Sequence, residues 1–483
     1  MSKFVSYIIS ISLSLLFVSC EDFLYVEPDL QVSINEQLSN RQGVLEAYSG
    51  IYRDIEGLLS SKLTIYADIQ GGNITFTPSN TSKLVRVPDD FENSYNFNDR
   101  FDDSNYSNLY SDLYEIINQT NLILERLDSF SFLSMEESTQ MKAELLVIRG
   151  FMHYQLVIHY AQNYHFTPDA SHLGVIYNRK TLTAGKDFPL RETMIQTYQF
   201  IQNDFEEALD IMTNNQLLSG PVFSYFNKIN TKALYSRIAL QMNDWEKARD
   251  MSSQVINSTE VSLMEGGSYV DEWEKDVEPV NEVLLEFSAP RTTNGSVSSS
   301  ISEHFNYISS TNYEKYVASG DLLNMYDAVD VRYNMFIEAN LTTSVNGVEI
   351  PVSYFFTKKF QGDAGTTFIR LSEMYLVRSE ANARLGNISV ALTDLNTIRT
   401  RANLTNITTL GIDFEEIFDE RRRELAFEGH LLFDIIRFKR NVARDLGCIS
   451  SVCNLSYPSN FLILPIPSES VNLNQNIQQN AGY

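Results

Sequence analysis

Along most of the chain apolar residues recur every third or fourth position, a period that predicts helices. Residues 41–59 carry Leu45, Ala47, Tyr48, Ile51, Tyr52 and Leu58 on this spacing, and residues 108–127 carry Leu109, Leu113, Ile116, Ile117, Leu122 and Leu124. Residues 141–160 repeat Met141, Leu145, Ile148, Met152 and Leu156. Further apolar residues cover the other faces of this last segment, which predicts a helix buried on several sides. Short strands are expected at 283–287 and 461–466, the second of them interrupted by Pro465 and followed by Pro467.

Residues 228–256 and 369–401 each read as helix, tight turn, helix, with turns at Met242-Asn243-Asp244 and Leu385-Gly386-Asn387. Placing Ala248 over Ala391 also places Met242 over Leu385. A small residue early in each second helix lets the paired helices approach closely, as in tetratricopeptide-type repeats. Two such weak copies are also what unrelated helical hairpins produce. The fold class expected is mostly α, built on tetratricopeptide-like hairpins, with a loop-rich, partly short-β portion packed on one side.

Two stretches break the helical period. Residues 66–107 hold Gly71-Gly72, Pro78, Pro88 and many Asn, Asp and Ser, and residues 288–318 begin with Pro290 and a serine-rich run. Long irregular segments in compact proteins are functional or disordered. The aromatics here (Phe76, Phe91, Tyr95, Phe97, Phe101 and Tyr106, then Phe305, Tyr307, Tyr313 and Tyr316) argue against disorder.

The first residues add an address. One positive charge, Lys3, precedes an apolar run from Phe4 to Val18 that is too short and too interrupted by serines to span a bilayer. It reads as a secretory signal. Leu16-Phe17-Val18-Ser19-Cys20 resembles a bacterial lipoprotein cleavage box, with Ser19 fitting and Phe17 standing where leucine is usual. The alternative is an ordinary signal with an incidental cysteine. On the lipoprotein reading, residues 1–19 are removed, Cys20 carries acyl chains that anchor the protein to a membrane, and residues 20–40 form a tether into a helical domain over 41–483.

The 483 residues, 43% of them hydrophobic, suffice for one large core or two domains. The net charge of −25 repels phosphate backbones, so nucleic acid is not an expected partner. Beyond Cys20 the only cysteines are Cys448 and Cys453. In an exported chain so near a pair is expected to form a disulfide; two thiols that never meet are the alternative.

Several motifs in order resemble the SusD/RagB family of outer-membrane lipoproteins. They are the start Cys20-Glu21-Asp22-Phe23-Leu24 with Pro28, the helix around Ala47-Tyr48, and Lys142-Ala143-Glu144-Leu145 with Arg149-Gly150-Phe151. Further on come Ile369-Arg370-Leu371-Ser372-Glu373-Met374-Tyr375-Leu376-Val377-Arg378-Ser379-Glu380-Ala381, then Asp394-Leu395-Asn396 and Arg399. Arg421-Arg422-Arg423-Glu424-Leu425-Ala426-Phe427-Glu428-Gly429-His430 leads into Phe433-Asp434, and the chain closes on Leu464-Pro465-Ile466-Pro467 and Gln479-Asn480-Ala481-Gly482-Tyr483. Leu431 stands where the family often has arginine, and Ala481 where it usually has proline. The resemblance implies a surface-exposed lipoprotein that captures a nutrient, usually a glycan, beside a TonB-dependent SusC-like outer-membrane transporter. It implies no enzyme and no cofactor. A lipid-anchored glycosidase and a helical-repeat scaffold binding only proteins are the rivals.

Glu420, Glu424 and Glu428 recur every four residues with Arg421 to Arg423 interleaved. A carboxylate pair could serve glycoside hydrolysis, but a buried ion network bracing helices is the favoured reading. His153, His159 and His165 fall six apart, off any single helical face, so no metal site is expected. A sugar ring packs its C–H face on an aromatic ring and needs amides or charges beside it. Tyr95, Phe97, Tyr307 and Tyr313 are the candidate platforms, with Asp68, Asn73 and Arg100 as polar partners. One ligand surface is expected to combine both irregular stretches and to face the transporter.

Overall fold

The computed structural model describes residues 33–183, 185–258, 261–275, 279–288, 300–360 and 365–483. The leader and Cys20 lie outside the described residues, as do positions 289–299 of the second irregular stretch. Helices dominate. Arg41–Leu59 starts at Asn40, whose side chain accepts from the Gly43 amide, and buries Val44, Tyr48, Ile51, Tyr52 and Ile55 on one face. Met135–Tyr160 opens on a reciprocal capping box between Ser134 and Glu137, which satisfies donors the first turn leaves free. From Gln140 to Val157 nearly every side chain is buried, so this helix is the central post of the core, as the apolar residues on all its faces predict.

The two hairpins form as expected, Lys228–Gln241 with Trp245–Ile256 and Leu371–Arg384 with Ile388–Arg401, and Trp245–Ile256 packs on Leu371–Arg384. Ala248 and Ala391 are fully buried at the close approaches. The Ser379 hydroxyl donates to the Ala391 carbonyl at 2.8 Å, a distance that a larger residue at 391 would not permit without displacement. These stacked pairs make the tetratricopeptide-like part of the fold. The second hairpin starts at Leu371 because Ile369 and Arg370 close a strand, β8 (Thr366–Arg370), antiparallel to β2 (Val283–Phe287).

Three expectations change. Residues 66–71 are not irregular: they end the helix Lys62–Gly71, which is buried from Leu63 onward and whose polar residues Asp68 and Gln70 are bonded inside the protein. Gly72 caps it at φ 97°, and a Cβ there would stand 2.9 Å from Arg444 Cγ, so both conformation and space require glycine. Residues 461–466 are not a strand. Asn460–Leu462 is a 3-10 turn. Beyond it the backbone is satisfied by the His159 carbonyl and by the side chains of Gln479 and Asn480, while Pro465 and Pro467 have no N–H to offer a ladder. Finally, a long hairpin appears where none was expected, β6 (Phe336–Val345) against β7 (Val348–Thr357), turning at Asn346-Gly347 with φ 51° and 79°.

This hairpin caps a small core of its own. Ala339, Leu341, Tyr354 and Phe356 meet Val317, with Val85, Tyr307 and Tyr313 packed around them. This core is separate from the one under the second tetratricopeptide-like hairpin, which gathers Leu376, Ala391, Leu395, Ile398 and Ile417.

Candidate functional site

The two irregular stretches are joined by a strand pair. β1 (Ile74–Phe76) runs antiparallel to β5 (Tyr316–Ala318), with Phe76 opposite Tyr316. The Thr77 amide donates to the Lys315 carbonyl at 3.0 Å and the Tyr313 hydroxyl to the Pro78 carbonyl at 2.9 Å. Underneath, Asp68 is fully buried and accepts from Asn73 Nδ2 at 2.5 Å and from the Gly429 amide at 2.7 Å. Asn73 in turn accepts from Arg422 Nε at 2.8 Å, and its carbonyl accepts from the Ser319 amide. Burial pushes the Asp68 carboxyl up to about 6 against the bonds from Asn73 and Gly429 that favour its charged form. Asp68 and Asn73 are therefore the knot that ties both stretches to the helical scaffold, and they present nothing to solvent.

Tyr95 is also interior. It is 1% exposed, with its ring edge-to-face against Phe76 at 4.9 Å. Phe97 follows a short helix, Glu92–Tyr95, sits in the left-handed region at φ 51°, and is half-buried at the edge of the core. Arg100 is exposed and pairs with Asp102 at 3.2 Å. Tyr307 and Tyr313 face each other across β3 (Tyr307–Ser309) and β4 (Asn312–Tyr313). Both are half-buried and rest on Phe356, at 4.7 and 6.0 Å between ring centroids, while Ile308 between them is 68% exposed. Of the candidate platforms, Phe97, Tyr307 and Tyr313 keep ring surface at the exterior; Tyr95 does not, because its ring is used to close the core under β1.

Three features escaped the sequence reading. The β6–β7 hairpin, which supports Tyr307 and Tyr313, carried a usable signal in Asn346-Gly347 between alternating residues. Arg444 carried none: its guanidinium lies 4.2 Å from the Tyr95 ring and 4.8 Å from the Phe97 ring, across hundreds of residues of sequence. The third is the neighbourhood of the cysteines. Cys448 and Cys453 are joined at 2.10 Å, and the turn they close sits beside Asn96 and Thr75.

The charged motif is a closed network. Glu420 and Glu424 are fully buried. Glu424 meets Arg332 at 2.9 Å, Arg370 at 2.5 Å and Arg401 at 2.5 Å; Glu420 meets Arg332, Arg399 and Arg423; Glu428 meets Lys359 and Arg370. Burial would raise the Glu424 carboxyl, but Arg401, Arg370 and Arg332 outweigh it and hold it well below the ordinary range. A general acid needs a raised value and access to substrate, and this carboxylate has neither. His153 and His159 are buried and bonded through Nδ1 to carbonyls one turn back, and burial pushes them down to about 3 and about 4. Among the described residues no three His, Cys, Asp or Glu side chains gather as metal ligands, and no helix is long and apolar enough to cross a membrane.

Comparison with known proteins places this architecture. Residues 352–483 match the family described as "SusD family", and residues 22–240 match that described as "Starch-binding associating with outer membrane". SusD-like protein P25 of Formosa agariphila is 20% identical over 94% of this chain and 94% of its own. The starch-binding protein SusD of Bacteroides thetaiotaomicron is 32% identical over 127 residues, 25% of this chain and 22% of that one. The crystal structure of a SusD superfamily protein from Bacteroides vulgatus superposes with a TM-score of 0.78 at 22% identity, covering 92% of this chain and 99% of the other, which is a likeness of fold. With family matches at both ends of the chain and a relative aligned along nearly its whole length, the protein belongs to the SusD/RagB family.

Proposed function

We propose that this protein is an outer-membrane lipoprotein, anchored through Cys20 and exposed at the cell surface, that captures a glycan and hands it to a TonB-dependent SusC-like transporter. The observation that supports the reading is the β1–β5 pairing, which joins the loop stretch that contains Phe97 to the one that contains Tyr307 and Tyr313. Function concentrates on loops held in this way, and half-buried rings flanked by amides suit a sugar's apolar face and hydroxyls. The starch-binding relative and the starch-binding description of the matched family support a glycan as ligand. Binding proceeds without covalent chemistry: Glu420, Glu424 and Glu428, the carboxylates a glycosidase reading would use, are locked in ion pairs.

The test is calorimetry of the purified mature chain against a glycan panel, with reducing ends assayed in parallel. Saturable binding without new reducing ends is expected; cleavage, or no binding across the panel with capture of proteins alone, overturns the proposal. Cys20→Ala should release the protein from the membrane fraction or block its maturation, and unchanged membrane association would remove the anchor from the reading.

A further inference from the structure

The turn closed by Cys448 and Cys453 touches the first ligand-side stretch, and the residues just before it reach Asp321, beyond the end of the second. The Thr75 hydroxyl donates to the Gly447 carbonyl at 2.6 Å, and the Ser450 hydroxyl to Asn96 Oδ1 at 2.6 Å. The Ile449 amide donates to the Tyr95 hydroxyl at 3.4 Å, and the Leu446 amide to Asp321 at 3.1 Å. The base of the turn is pinned by β9 (Val442–Ala443) against β10 (Asn454–Leu455).

Arg444 links this turn to the aromatics. It is 2% exposed, and among the described residues no carboxylate pairs with it. Its Nε donates to the Cys453 carbonyl at 3.4 Å, Nη2 donates to the Val452 carbonyl, and Nη1 has no partner. Its charge is met by the faces of Tyr95 and Phe97 instead, an attraction that strengthens once the pair is desolvated. A planar guanidinium does this better than an ammonium, since it stacks and forks at once, whereas an ammonium keeps only the charge.

We propose that the turn 447–453 is a third wall of the ligand surface and that Arg444 is the residue that positions Phe97 against it, for a neutral oligosaccharide. This rests on the glycan reading above. One face of the Phe97 ring is covered by the guanidinium, and the part left outside is held in a single orientation before any ligand arrives. Such preorganisation raises affinity by removing the cost of ordering on binding. Exposed on the two segments that meet here are Asn98, Ile449 and Ser451, an amide, an apolar side chain and a hydroxyl, together with Arg100, whose charge Asp102 pairs. The cation stacked on the platform, Arg444, is buried out of a ligand's reach, and the chain's net charge of −25 repels polyanions. An acidic polysaccharide is thereby disfavoured.

The test has two independent readouts on the intact mature chain. Hydrogen exchange by mass spectrometry compares the oxidised protein with the same protein reduced in place, and with Cys448→Ser/Cys453→Ser and Arg444→Met. Amides at 93–98 should exchange at least tenfold faster, with the helix Leu371–Arg384 unchanged. Unchanged exchange at 93–98 overturns the positioning role. Calorimetry then uses laminarin and soluble starch as neutral probes and polygalacturonate as the acidic one. Whichever neutral glycan the wild type binds should bind at least tenfold more weakly to each variant, with Arg444→Lys restoring part of the loss. Faster exchange with unchanged affinity removes the turn from the ligand surface, and preference for polygalacturonate overturns the neutral class. If the wild type binds none of the three, the glycan reading and the third wall fall together, while the exchange result still decides whether the turn and Arg444 hold Phe97.

Discussion

The buried charge network predicts its own cost of disruption. Glu424→Gln keeps the side-chain shape and removes one charge from a site with no access to water. Three guanidinia lose a partner, but each keeps another: Arg332 retains Asp330 and Glu420, Arg370 retains Glu282 and Glu428, and Arg401 retains Glu282 at 3.1 Å. Removing one member of a buried ion pair costs ~3–5 kcal/mol. Because no guanidinium is left wholly unpaired, the loss belongs near the lower end, about 3 kcal/mol. Arg370→Met should cost more, about 5 kcal/mol, since Glu282, Glu424 and Glu428 each lose a donor at once, although Arg401, Arg332 and Lys359 still reach them. Urea unfolding at pH 7 of the mature chain, followed by circular dichroism, measures both. The pH dependence is a second check. Arg401, Arg370 and Arg332 hold the Glu424 carboxyl below its unfolded value of about 4.3, so its contribution is complete above that value and fades as pH falls through the folded one. The gap between wild type and Glu424→Gln should therefore be full at pH 7 and narrow below about pH 4. A midpoint shift worth less than about 1 kcal/mol at pH 7 would refute the network as a brace, since that is the range of exposed pairs.

Glu144 behaves in the opposite sense. Burial pushes it up to about 7 even though Tyr48, Tyr52 and Gln140 donate to it, so the folded state holds a proton that the unfolded state releases near 4.3. Stability should fall by about 3 kcal/mol as pH rises from 4.5 to 7, and Glu144→Gln should flatten that slope in urea titrations across this range; an unchanged slope assigns it to other groups. Tyr95→Ala should destabilise by about 3–5 kcal/mol, whereas Phe97→Ala, Tyr307→Ala and Tyr313→Ala should weaken glycan binding at least tenfold, about 1.4 kcal/mol, with melting temperature nearly unchanged. The reverse pattern in paired calorimetry and thermal melts would move the ligand surface elsewhere. Ala391→Leu should cost about 1–3 kcal/mol by overpacking the second hairpin, read from the same denaturation curves; a neutral result would mean that the helices there do not approach closely.

Helices were legible wherever one face of the chain repeats at 3.6 residues. Arg41–Leu59 and both tetratricopeptide-like hairpins stand where the spacing of Tyr48, Ile51 and Tyr52, or of Ala248 and Ala391, puts them. That information is local, because a helix bonds only to itself and the apolar stripe says which side is buried. The segment 461–466 shows the limit: apolar and extended in composition, it looks like a strand, but its partners are the His159 carbonyl and the side chains of Gln479 and Asn480. The β6–β7 hairpin lay within reach of local reasoning through Asn346-Gly347. The strand pair that unites the ligand-side stretches did not, since β1 and β5 are each three residues long and far apart in sequence.

What the sequence by itself determined is the helical architecture, the pairing of its hairpins and the two aromatic-rich stretches from which a binding surface could be made. Which of those aromatics face outward was decided by tertiary structure alone. Tyr95 and Phe97 are two residues apart in the same loop, yet one closes the core beneath Phe76 while the other, at positive φ, stays half-buried under the guanidinium of Arg444. Asp68 and Asn73 have the composition of a sugar site but are consumed by Gly429 and Arg422. A side chain's type states what it can bond; whether a ligand or the protein satisfies it depends on partners hundreds of residues away, brought within 3 Å only when the chain has folded.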